Sequence, residues 1–82
     1  VLALSTKLKI DYAGNVGIGT ATPSQALEVN GGVRLNTATA KPTCDATVKG
    51  TFWYTAGGAG VKDSVEVCAK DAADTYAWRT IY

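Results

Sequence analysis

Apolar and polar residues alternate in short runs along this chain, with a period of two. Leu8, Ile10 and Tyr12 are interleaved with Lys7, Lys9 and Asp11, the pattern of a half-buried strand. Val16 and Ile18 resume it, and Ala13-Gly14-Asn15 between them is a turn signal, so residues 6–19 read as a β-hairpin. The polar segment from Thr20 through Pro23 to Gln25 breaks the run. Leu27, Val29, Val33 and Leu35 then flank Asn30-Gly31-Gly32, a turn compatible with type I′, and predict a second hairpin. Ala26-Leu27-Glu28 allows a single helical turn instead, too short to stand alone. Residues 36–49, rich in Thr and Ala and holding Pro42, read as a connecting loop or edge.

The second half carries the denser aromatic content. Thr51-Phe52-Trp53-Tyr54-Thr55 is β-prone, Gly57-Gly58-Ala59-Gly60 is a loop, and Val65, Val67 and Ala69 alternate with Glu66, Cys68 and Lys70. After the turn at Asp71-Ala72-Ala73-Asp74, the last run places Tyr76, Trp78, Thr80 and Tyr82 on one face. That strand is expected to reach the final residue, held by its own sheet or by a neighbouring chain, because unpaired termini fray. The pattern as a whole predicts an all-β chain of six or seven strands, a small antiparallel hairpin or sandwich-like domain.

Length limits what such strands can bury. With 82 residues the chain makes one small domain at most, burying only roughly 60% of the surface its unfolded form exposes. Thirteen Ala and nine Gly stand against five Leu, three Ile, eight Val and one Phe, with no Met, so the core is thin and a staple or an oligomer is expected to complete it. A net charge of +1 argues against nucleic acid and against an anionic membrane as partners. Zero His removes the commonest general base, zinc ligand and triad member. No run approaches the roughly twenty apolar residues of a membrane span. Val1-Leu2-Ala3-Leu4 is too short for a signal-peptide core, and the absence of an initial Met reads as a mature product or a cut fragment.

Cys44 and Cys68 allow one intrachain pair or two free thiols acting as small hydrophobes. In a small chain without His, a structural disulfide is the reading preferred here, and it points to an oxidising compartment.

The remaining motifs weigh against small-molecule chemistry. Gly57-Gly58-Ala59-Gly60-Val61-Lys62-Asp63-Ser64 has Val61 where a phosphate loop needs Gly, and Asp63 would repel a phosphate. Gly17-Ile18-Gly19 lacks the third Gly of a dinucleotide fingerprint. Asp63, Asp71 and Asp74 form either a calcium corner or a solvated polar turn, the second being preferred, so no metal and no cofactor is expected. Phe52, Trp53, Tyr54, Tyr76, Trp78 and Tyr82 serve either core and subunit packing or sugar stacking, with Trp53 and Tyr54 the stacking candidates. Arg34 and Arg79 fall mid-strand, where long stems cover apolar surface or pair across strands.

One stretch carries a family resemblance. Asn15-Val16-Gly17-Ile18-Gly19-Thr20, with Pro23, Leu27, Val29, Gly31 and Arg34 following at fixed spacing, resembles the NVGIGTxxPxxxLxVxGxxR segment of phage tail fibres and bacterial cell-surface and secreted proteins. The rest of the chain, from Cys44 through residues 50–54 to Trp78 and Arg79, looks like the short C-terminal heads that follow such segments. The resemblance implies a fibre-like β segment at 1–36, a disulfide-closed β head at 37–82 forming one compact unit with it, and a trimeric state. No Ser-Lys chaperone follows, so self-cleavage is not implied.

Two functions follow as expectations. The first is a non-enzymatic structural subunit that self-assembles outside the bacterial cell into a homo-oligomeric fibre, tube or filament. Val1, Leu2, Leu4, Tyr76, Trp78 and Tyr82 would carry the contacts between copies. The second is a tail-fibre or adhesin tip that binds surface glycans or receptors. An enzyme is not expected.

Overall fold

Most of the period-two runs become strands, and the computed structural model of the chain contains no helix among the described residues, which are Ala3–Leu4 as backbone and 7–82 in full. Seven strands are described: β1 (Ala3–Leu4), β2 (Leu8–Ile10), β3 (Val16–Ile18), β4 (Leu27–Val29), β5 (Phe52–Thr55), β6 (Ser64–Lys70) and β7 (Tyr76–Thr80). They form a four-stranded sheet in the order β1-β2-β3-β4 and a three-stranded sheet in the order β5-β6-β7. The chain divides into two compact units, Val1–Arg34 and Leu35–Tyr82, one sheet to each. Val1 and Leu2, named above as contacts between copies, lie outside the described residues, as does the side chain of Leu4.

In the first unit the expected hairpin forms, with Leu8 opposite Ile18, Lys9 opposite Gly17 and Ile10 opposite Val16. Asp11 builds its turn. Its Oδ1 accepts from the backbone N–H groups of Ala13 and Asn15 at 3.0 and 2.9 Å, and Gly14 takes φ +87°. A side chain that mimics a backbone turn in this way is the physical reason Asp starts such loops.

The second hairpin does not form. β4 pairs instead in parallel with β3, through Val16–Leu27, Gly17–Glu28 and Ile18–Val29, and residues 33–35 belong to no strand. Arg34 is therefore not mid-strand, and Val33 is 71% exposed. The connection 19–26 is shorter than the dozen or so residues that a parallel crossover normally takes. It fits because it folds directly over Gly17, where a Cβ would lie 2.3 Å from the Thr20 carbonyl oxygen and 3.3 Å from Pro23 Cδ. Gly17 and Pro23 are buried together. The Ser24 N–H and hydroxyl both donate to Glu28 Oε1, at 2.8 and 3.0 Å, and close the connection; the backbone N–H of Ser24 first, then its hydroxyl, lower the Glu28 pKa.

In the second unit β5, β6 and β7 form an antiparallel meander. Asp71 repeats the work of Asp11: its Oδ1 accepts from Ala73 and Thr75 N–H at 2.9 and 3.0 Å, and Asp74 takes φ 63° in the place of Gly14. β7 ends at Thr80 rather than at the last residue, since Ile81 and Tyr82 both donate to the single carbonyl of Val65 and leave the ladder. Cys44 and Cys68 are bonded, with Cα atoms 5.5 Å apart.

Burial is sparse. The buried residues among those described are Gly17, Pro23, Cys44 and Cys68, and no Leu, Ile, Val, Phe or Trp side chain joins them.

Candidate functional site

Alternation fixes which aromatics share a face. Trp53 pairs with Glu66 and Trp78 pairs with Cys68, so both indoles stand on the same side of the second sheet, opposite to Phe52 and Tyr54. Their centroids are 6.1 Å apart with planes tilted by 56°, within the favoured range for aromatic pairs.

Residues 37–44 run over this face as a strap, and four contacts hold it. The disulfide anchors Cys44 to the fully buried Cys68 in the central strand. Trp78 Nε1 donates to the Pro42 carbonyl at 3.0 Å. Lys41 Nζ bonds Glu66 Oε1 at 2.7 Å and lies 5.2 Å from the centroid of the Trp78 ring. Thr37 Oγ1 donates to the Tyr54 carbonyl at 2.5 Å.

Between strap and β5 lies an open cleft of about 380 Å³, lined by Thr37, Thr39, Lys41, Trp53, Tyr54, Thr55 and Ala56. Its chemistry is one indole, several hydroxyls and an ammonium already neutralised by Glu66. Such a surface suits stacking and hydrogen bonding and offers no nucleophile–base pair.

Tyr54 works on the far side of the sheet as well. Its hydroxyl donates to Asp63 Oδ2 at 2.5 Å while Gly57 N–H donates to Oδ1 at 2.7 Å. The Tyr54 hydroxyl, then the Gly57 amide, hold the Asp63 carboxyl below its ordinary value. Asp63 thus clamps the glycine loop, where a Cβ on Gly57 would sit 2.2 Å from the Val61 carbonyl oxygen.

The other candidates are scattered. Asp71 serves its own turn, its pKa lowered first by the Thr75 N–H and then by that of Ala73, and Asp74 pairs with Lys70. Among the described residues no three His, Cys, Asp or Glu side chains converge to hold a metal ion. Arg79, in mid-strand as expected, turns its guanidinium onto the carbonyls of Ala69 and Thr75, at 3.3 and 2.7 Å. Tyr76 is half-buried, and Tyr82 is 64% exposed with Lys62 Nζ 3.8 Å from its ring centroid.

The alternation of residues does not announce the strap. Its signal was present: once Cys44 is tied to Cys68, the residues before it, Lys41 and Pro42, must cross the face that carries Trp78. No protein-family model, curated protein or solved structure matches the chain.

Proposed function

We propose that this chain is a non-enzymatic structural subunit that self-assembles outside the bacterial cell into a homo-oligomeric fibre, tube or filament. One observation carries the reading. The four-stranded sheet gathers Leu8, Ile18 and Val29 in one cross-strand row and Ile10, Val16 and Leu27 in the next, all on the same face. The connection 19–26 covers the opposite face, above Gly17. None of the six aliphatics is buried, and Ile18 and Leu27 remain 43% and 59% exposed. Contiguous apolar surface of this kind marks an interaction site, and copies of the same chain supply the burial that the thin core lacks. The disulfide supports an oxidising location. No helix among the described residues is long and apolar enough to cross a membrane.

Sedimentation and negative-stain microscopy of the purified protein test the proposal directly. Assemblies are expected for the wild type and smaller particles for Ile18→Lys with Leu27→Lys. A single-chain wild type at every concentration sinks the proposal.

The Trp53 cleft supports a second reading, a tail-fibre or adhesin tip that stacks a surface glycan between indole and hydroxyls. Glycan or cell binding abolished by Trp53→Ala, with assembly intact, would favour it.

A further inference from the structure

The two edges of the three-stranded sheet differ. On β5 the outward carbonyl of Tyr54 is taken by Thr37. On β7 no such cover exists among the described residues.

The phase of the β6–β7 ladder is fixed at both ends, where Asp71 N–H donates to the Thr75 carbonyl at 3.0 Å and Ile81 N–H to that of Val65 at 2.7 Å. Antiparallel ladders alternate bonded and non-bonded pairs, so Ala69–Ala77 and Val67–Arg79 exchange the bonds in between. Tyr76, Trp78 and Thr80 therefore turn their backbone N–H and C=O groups outward. The usual defences of an edge are missing: Tyr76–Thr80 contains no Pro, Lys or bulge, and Arg79 is folded back onto its own hairpin.

We infer that this edge is a self-pairing seam, at which β7 of one chain joins β7 of a second copy antiparallel across a two-fold axis at Trp78. The inference rests on the assembly proposed above and names its geometry. A second copy is the fitting occupant because the outward residues are symmetric about Trp78, so the pattern is its own complement. In that register Tyr76 faces Thr80 of the second copy, an aromatic against a β-branched residue, and Arg79 faces Ala77. No like charges meet, and the two sheets become one.

The test separates seam from face. In the Ile18→Lys, Leu27→Lys background the seam leaves two chains per particle by sedimentation. Adding Tyr76→Lys and Thr80→Lys sets two ammonium groups opposite each other on both sides of the axis, and particles should fall to one chain. Tyr76→Glu with Thr80→Lys sets opposite charges there and should restore two. Far-UV circular dichroism and melting of each variant keep folding separate from association. Single chains already in the Ile18→Lys, Leu27→Lys background, with the wild type assembled, would overturn the seam and leave the assembly standing. Dimers that persist with both lysines at the edge would overturn it equally.

Discussion

Trp53 and Trp78 sit on strands that do not pair with each other, yet their ring centroids lie 6.1 Å apart across β6. Only Trp78 is also tied to the strap, through the Pro42 carbonyl and the Lys41 ammonium. The two indoles are therefore unequal. Trp78→Ala should cost about 2–4 kcal/mol in urea unfolding, at or below the range for a fully buried ring because Trp78 is half-buried. Trp53→Ala should cost visibly less, and equal losses would contradict the strap's dependence on Trp78.

Gly17→Ala places a methyl 2.3 Å from a backbone oxygen that cannot turn aside. The connection must lift, and a loss of about 1–3 kcal/mol or more is expected by the same measurement. Gly32→Ala meets nothing within 4 Å and serves as the control, with a change within about 0.5 kcal/mol.

Reducing Cys44–Cys68 reopens a loop of sequence separation 24, which in the chain-entropy picture removes about 3.5 kcal/mol. With no large side chain buried, that is a major share of the second unit's stability. The urea midpoint with and without reductant measures it, and alkylation followed by intact mass reports the bond itself. Uptake of two equivalents by the denatured, non-reduced chain would show it absent.

Acid should unfold the second unit through its turn carboxylates. Asp63 is lowered from the ordinary 3.8 chiefly by the Tyr54 hydroxyl, Asp71 by the Thr75 N–H, and Asp45 by the side chain of Thr47. A carboxyl depressed in the folded state binds its proton more weakly there than in the unfolded chain. Its contribution is thus complete above 3.8 and is lost as pH falls through the lower, folded value. Urea midpoints should be flat near neutrality and drop in that acidic window, and Asp63→Asn should shallow the drop.

The hairpin of β2 and β3 is legible because its alternation and its turn lie within one short window. Asn30-Gly31-Gly32 was an equally good local signal and misled, because the Val16–Leu27 register won. That register depends on a glycine making room for Pro23, a fit between side chains that no periodicity encodes. The aromatic face was legible as alternation along β5 and along β7, and the disulfide as arithmetic. The cleft was not, since Lys41–Glu66 and Trp78–Pro42 join residues far apart in the chain and only the path of the strap brings them together.

The bond between strap and central strand also governs how the second unit answers to force. If copies of the chain assemble into the fibre proposed above, load entering near Leu35 and leaving near Tyr82 would pass through Cys44 and Cys68 as a covalent short circuit. The residues between them, which extended would span about 80 Å, stay out of the load path. That length would be withheld from extension for as long as the Cys44–Cys68 bond stays oxidised.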